Sequence, residues 1–286
     1  MTGLALALVL AAGLVHATWN YLLKRSGGGI AFMWLFTFIS ITFYAPIVAG
    51  VILVKQPHLG MTALTVILTS AVVHTIYYLL LDRGYRYGDL SLVYPMARAT
   101  GPFITIIVAV VFLGERPSVL ALSGAALIVG GAFFLTGNPA KLVASEALRG
   151  VIYALLTGCA IAGYTIVDKL GVAAALVPPV VFNWGVNVGR FAMMSPLALR
   201  DRSRLAEVWR LHRKSVIIVG ILCPLSYIMV LTAMVFTPVS YVAPAREIAI
   251  LFGAVMGTQL LREGDVKRRL VSAAAMALGV IGLALG

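Results

Sequence analysis

Residues 90–113 read LSLVYPMARATGPFITIIVAVVFL, and residues 239–261 read VSYVAPAREIAILFGAVMGTQLL. Each is an apolar run of about 20 residues, the length that crosses a bilayer as a helix. Each is broken near its start by a proline and then an arginine. Ser91-Leu92-Val93-Tyr94-Pro95 sets against Ser240-Tyr241-Val242-Ala243-Pro244, and after a one-residue gap Arg98 sets against Arg246. Seventeen residues further on in each copy, Glu115 sets against Glu263. The same correspondence reaches back to Trp19-Asn20-Tyr21-Leu22-Leu23-Lys24 and Tyr164-Thr165-Ile166-Val167-Asp168-Lys169. The chain is an internal duplication.

Working outward, other apolar runs fall at 3–23, 31–54, 61–81 and 118–136 in the first copy. In the second they fall at 150–168, 178–199, 215–235 and 270–285. This predicts an all-α integral membrane protein with ten transmembrane helices, arranged as five-helix repeats over residues 1–137 and 150–286. Composition agrees, with 61% hydrophobic and 11% charged residues and a mean hydropathy of +1.02. A soluble domain carries about 25% charged residues. A β-barrel would need alternating segments of about ten residues, which are not present. Five spans per copy is odd, so the second copy enters the membrane from the opposite side. Inverted repeats of this kind hold substrate near the midplane between the copies. The polar stretch from Arg200 to Lys214 reads as a short amphipathic helix on the membrane surface.

The net charge of +12 raises nucleic acid as a partner, but the basic residues are scattered over short connectors and form no face that tracks phosphates. They follow the positive-inside rule instead. Of 22 Lys and Arg, sixteen fall on odd-to-even connectors and three, Lys55, Arg116 and Lys169, on even-to-odd ones. The remaining three, Arg98, Arg190 and Arg246, lie inside spans. The count places both termini on the extracytoplasmic side of a cell (inner) membrane. Cys159 and Cys223 sit in apolar runs and read as packing residues.

With ten spans, two five-helix repeats, Leu113-Gly114-Glu115 and its second copy Leu261-Arg262-Glu263, the chain resembles the EamA-type family of the drug/metabolite transporter superfamily. In the second copy Arg262 replaces the glycine. The resemblance spans essentially the whole chain and implies a solute carrier, often an exporter of amino acids or related metabolites, with a central cavity lined from both halves. Members usually keep both termini in the cytoplasm, contrary to the charge count here. His16-Ala17-Thr18-Trp19-Asn20 is similar to a subset associated with phosphonate utilisation.

Charged groups inside spans are the strongest functional signal. Each mid-span arginine costs about 2.5–3.5 kcal/mol on insertion scales, so such residues face a cavity or a partner. Glu247 reads as the one acid clearly within a span, leaving a surplus of positive charge. A small anionic or zwitterionic solute whose carboxylate or phosphonate is held by Arg98 and Arg246 fits that surplus, because a guanidinium donates two parallel hydrogen bonds. The competing reading pairs Glu247 with one arginine while the others snorkel. Asn183, Asn187 and Arg190 fall at i, i+4 and i+7 and form one polar stripe. Trp184 and Tyr241 are candidate aromatic walls, and His16 and His74 are candidate titrating groups or helix–helix hydrogen-bond partners. Trp19 reads as an interfacial anchor. Pro95, Pro102 and Pro244 predict kinks whose freed carbonyls can line a site. Gly185-x-x-x-Gly189 and Gly253-x-x-x-Gly257 predict close helix packing. Glu115 and Glu263 read as helix-terminus contacts.

No catalytic motif, metal-ligand cluster or nucleotide loop is present, so neither enzyme activity nor a cofactor is expected. The expected partners are a small-molecule substrate, the lipid bilayer and, for Glu247, protons, with the chain a monomer or homodimer. The alternative functions are a lipid flippase and, behind it, an intramembrane enzyme.

Overall fold

The computed structural model describes residues 1–26, 29–87, 90–135, 145–250, 252 and 266–286. Among them there is no strand. The helices are α1 Gly3–Arg25, α2 Gly29–Lys55, α3 Met61–Tyr87, α4 Leu90–Phe112 and α5 Val119–Leu135 in the first copy. The second copy has α6 Ser145–Lys169, α7 Pro179–Ala198, α8 Arg202–Phe236, α9 Val239–Ala245 and α10 Val266–Leu285. In a solvent that cannot satisfy backbone groups, each segment must close its own hydrogen bonds, which is why apolar runs become helices. Among the described residues five stretches, Gly3–Leu23, Gly29–Lys55, Met61–Tyr87, Leu148–Ala174 and Arg202–Phe236, are long and apolar enough to cross a membrane. Shorter apolar helices cover Met96–Phe112, Val119–Phe134 and Val271–Leu285.

Three local differences from the expected spans have physical reasons. Helix α3 runs to Tyr87 because charged residues that end an apolar run need not end a helix; Arg86 pairs with Asp82 one turn back at 2.8 Å. The expected surface helix at Arg200–Lys214 is continuous with the following span as α8, joined through a kink at His212 (φ −127°, ψ 16°). Asp201 caps its start, and hydrogen bonds from the Ser203 hydroxyl and the Arg204 amide hold this exposed carboxyl below its ordinary range. Most consequential, α6 does not stop at Lys169 but continues through a π-helical turn, Leu170–Ala174.

The strongest packing crosses between the copies. Helix α3 packs on α6 and α1 on α8; α2 packs on both α7 and α8, α3 on α7, and α5 on α10. Exchanging each helix with the one five places later maps α3–α6 onto α8–α1 and α2–α8 onto α7–α3, while α5–α10 maps onto itself. The α5–α10 contact is backbone to backbone: a Cβ at Gly124 would lie 2.5 Å from the Gly279 carbonyl oxygen. Gly185 and Gly189 likewise bring α7 against α3, where a Cβ would meet Ile67 at 2.9 Å and Ala71 at 2.7 Å. The other small-residue pair, Gly253 and Gly257, lies outside the described residues.

Leu113-Gly114-Glu115 makes the turn between α4 and α5 of the first copy and reaches across to α9 of the second. Gly114 takes a left-handed φ of 67° after α4 ends, and the Glu115 amide donates to the Ala109 carbonyl at 3.1 Å, closing the end of the helix. The Glu115 carboxylate then accepts from the amides of Val239 (2.8 Å) and Ser240 (2.9 Å), satisfying orphan donors at the start of α9. Glu263 lies outside the described residues. Both termini lie at this end, where the Met1 amino group is 3.5 Å from the Leu283 carbonyl.

Candidate functional site

A cavity of about 80 Å³ opens between the copies, lined from seven helices. Helical spacing explains which residues reach it. Ala12, His16 and Trp19 come from one face of α1; His74, Tyr77 and Tyr78 from α3; Asn183, Val186, Asn187 and Arg190 from α7. Cys223, Ser226, Tyr227 and Val230 come from α8, while α4 and α6 present Arg98 and Tyr164, and α9 brings in Arg246 on the turn at its end. Trp19 and Tyr164, matched in the duplication, both face this space.

The three arginines are held differently. Arg98 Nε lies 2.7 Å from Glu247 Oε2, an ion pair with both side chains buried. Arg190 is held without an acid among the described residues: its guanidinium donates to Asn187 Oδ1 (2.6 Å), Thr37 Oγ1 (3.1 Å) and the Tyr78 hydroxyl (3.4 Å). It also sits 4.9 Å from the Tyr78 ring centre, within cation–π range. Asn187 in turn donates to the Asn183 main-chain and side-chain oxygens, both at 2.9 Å, so the polar stripe is one connected chain. Arg246 is the least engaged. Its Nε is 3.9 Å from Glu247 Oε1 and has no hydrogen-bond partner among the described residues, and its Nη2 makes a long 3.4 Å contact to the Tyr164 hydroxyl. The rings of Tyr164 and Tyr227 flank it at 5.7 and 6.0 Å.

Arg246 owes its position to a break in α9. The helix ends at Ala245, and Arg246 and Glu247 form a turn before Ile248–Ile250 resumes, with the Ala249 and Ile250 amides reaching back only three residues. Pro244 has no amide to donate, and its ring crowds the carbonyl four residues back. Helix α4, by contrast, runs unbroken through Pro102 and the position of Pro95, whose side chain lies outside the described residues.

Of the residues singled out in the sequence, Arg98, Arg190, Arg246, Asn183, Asn187 and His16 therefore converge on one cavity. Glu247 stands behind Arg98 rather than in the lining, fully buried. Trp184 points away, its indole N–H donating to the Ile41 carbonyl at 3.0 Å. Tyr241 lies at the terminal end, where its hydroxyl accepts from the Ser118 amide at 3.3 Å. Trp19, expected at an interface, is instead 8% exposed and donates to the Ser226 hydroxyl at 3.2 Å.

The expectation of a single intramembrane acid is overturned. Asp168 is 0% exposed and accepts hydrogen bonds from Ser70 Oγ (2.5 Å) and from the Tyr227 hydroxyl; His74 Nε2 lies 3.9 Å away. The sequence misled because Asp168 abuts Lys169 where the apolar run closes, which looks like a charged helix end. The π turn carries the helix onward. Lys169 instead reaches the last carbonyls of α8, donating to Met234 (2.6 Å) and Thr237 (2.9 Å). A missed signal existed in α3, where Ser70, His74 and Tyr77 recur at helical spacing in an otherwise apolar run.

Among the described residues no group of His, Cys, Asp and Glu could hold a metal. What remains is a multi-pass helical membrane protein with a small, net-positive, aromatic-walled cavity between two copies. The EamA-like transporter family model matches it twice, over residues 3–137 and 148–285. The chain belongs to that family, within the drug/metabolite transporter superfamily. None of the curated proteins compared matches it. Among solved structures 28 chains match. One, described only as a crystal structure of a protein, is similar over 100% of this chain and 98% of its own at a TM-score of 0.78 and 16% identity. At that identity the likeness is one of fold.

Proposed function

We propose that this protein is a secondary carrier for a small anionic or zwitterionic metabolite, such as an amino acid or a phosphonate. The solute binds in the central cavity with its acidic group on Arg246 and the face of Arg98 that looks into the cavity. Ten spans in two inverted repeats rock about this site, so that it opens to either side in turn. The protein sits in the cell membrane with its termini outside, and the family resemblance implies export as its direction.

The observation that carries this reading is the state of Arg246. Among the described residues it is a buried cation 3.9 Å from its nearest carboxylate, with an orphaned Nε, at the wall of a cavity. A buried guanidinium is stable only when its donors are met, and an incoming carboxylate or phosphonate meets two at once. Charge supports the same solute. Arg98, Arg190 and Arg246 stand against Glu247 and Asp168, which leaves one positive charge over among the described residues if all are ionised.

Proteoliposomes loaded with a labelled amino acid panel and a labelled alkylphosphonate test the reading. It predicts saturable flux of an acidic or zwitterionic probe. Movement of fluorescent lipid reporters alone would replace it with a flippase.

A further inference from the structure

Asp168 has no place in the substrate site just described, yet its surroundings are not those of an inert structural residue. It is completely buried, one layer behind the cavity wall, and two of the three side chains touching it are themselves wall residues. Tyr227 of α8 donates its hydroxyl to Oδ2, and His74 of α3 faces the same oxygen at 3.9 Å. Ser70 of α3 donates to Oδ1 and also contacts His74 Nδ1 at 3.2 Å. The His74 ring lies on Tyr164 at 4.0 Å and edge-on to Tyr227 at 5.7 Å, so the cluster joins α3, α6 and α8. Other charged groups stand further off. Arg246 on α9 acts through the rings of Tyr164 and Tyr227, and Lys169 turns its ammonium away to α8 carbonyls. Arg98 on α4, Arg190 on α7, His16 on α1 and the phenols of Tyr77 and Tyr78 on α3 all face the common cavity.

We propose that Asp168 is a proton-binding site connected to the cavity through Tyr227 and His74, and that it takes the coupling ion of the carrier. Charge on a carboxylate with no Lys or Arg against it among the described residues is costly in low dielectric, so taking up a proton relieves a burial cost while releasing it needs only the two hydroxyl donors already present. The step balances simply. An O–H bond forms at Oδ2 as the Tyr227 O–H bond breaks, and the phenol regains its proton from a hydronium in the cavity, which is left as water. In the reverse step the carboxyl returns the proton along the same path. Glu247 is a poorer candidate, since a 2.7 Å ion pair to Arg98 stabilises its charged form.

The coupling role rests on the carrier reading above; the proton site itself does not. Infrared difference spectra of the purified full-length protein, taken between acid and alkaline buffers, read the site directly. The expected result is a titrating carboxylic C=O band that is lost in Asp168→Asn and kept in Glu247→Gln. In Tyr227→Phe, which leaves the carboxyl in place, the band persists but exchanges more slowly in heavy water. A band that survives Asp168→Asn, or vanishes with Glu247→Gln instead, overturns the proposal. In proteoliposomes, flux of the labelled amino acid or alkylphosphonate should respond to an imposed pH gradient in the wild type. Asp168→Asn should lose that response while still exchanging labelled for unlabelled probe. Saturable wild-type flux indifferent to the gradient overturns the coupling role and leaves the carrier standing. A titrating Asp168 band without flux of any solute supports the proton site and counts against the carrier.

Discussion

Arg98 Nε and Glu247 Oε2 lie 2.7 Å apart, so the arginine of α4 is bound to the acid that adjoins its own counterpart, Arg246, on α9. One carboxylate thus sits between two duplicated cations but serves them unequally, at 2.7 Å and 3.9 Å. That inequality ties the two copies together through Arg98 and holds Arg246 more loosely.

Glu247→Gln should therefore destabilise strongly, because it removes the carboxylate charge that pairs with the buried Arg98 at 2.7 Å. Breaking one partner of a buried pair costs about 3–5 kcal/mol. The double change Arg98→Met with Glu247→Leu should be less damaging than Glu247→Gln alone, since replacing both ions with apolar groups removes the desolvation cost. Thermal unfolding in detergent checks the order, and a double variant less stable than Glu247→Gln would contradict it.

The helix pair α5–α10 should be intolerant of a single methyl. Gly124→Ala places a Cβ where the Gly279 carbonyl oxygen is 2.5 Å away and the Leu283 amide nitrogen 2.8 Å, both backbone atoms that cannot rotate aside. Overpacking of this kind costs about 1–3 kcal/mol. Gly130→Ala on the same helix is the control, because no atom lies within 4 Å of the added group. Equal thermal stability of the two variants would refute this account of the interface.

Leu113-Gly114-Glu115 should behave as two separable caps. Gly114→Ala forces a left-handed φ of 67° on a residue with a Cβ, at about 1–2 kcal/mol. Glu115→Ala removes the acceptor for the Val239 and Ser240 amides, and loss of such a cap costs about 0.5–2 kcal/mol. Both residues act on stability, so folded protein of either variant should keep its affinity for a transported probe; a selective loss of affinity would place this turn in the site.

Much of the site was legible because the sequence repeats. Arg98 and Arg246 stand out as matched charges in apolar runs, and helical spacing alone groups Asn183, Asn187 and Arg190. Lipid makes such residues conspicuous, since each carries a cost that something must offset. What the sequence hid was distance along the third dimension. Tyr241 stands three residues before Pro244 in a duplicated motif, yet it faces the terminal end, while Trp184 shares α7 with Arg190 but points to a different face. Asp168 was masked by Lys169 beside it, and the π turn that keeps it buried has no clear sequence signature. Trp19 resembled an anchor because hydropathy marks the end of a run without saying which face is covered by α8.

Arg246 is where the account is most exposed, and exchange of a labelled acidic probe in proteoliposomes, wild type against Arg246→Gln, tests it most directly. The variant keeps hydrogen-bond donors toward Tyr164 while losing the charge. The account predicts saturable exchange in the wild type and at least a tenfold rise in the half-saturating concentration in folded Arg246→Gln, about 1.4 kcal/mol of lost binding. Unchanged exchange by a folded Arg246→Gln protein would contradict it.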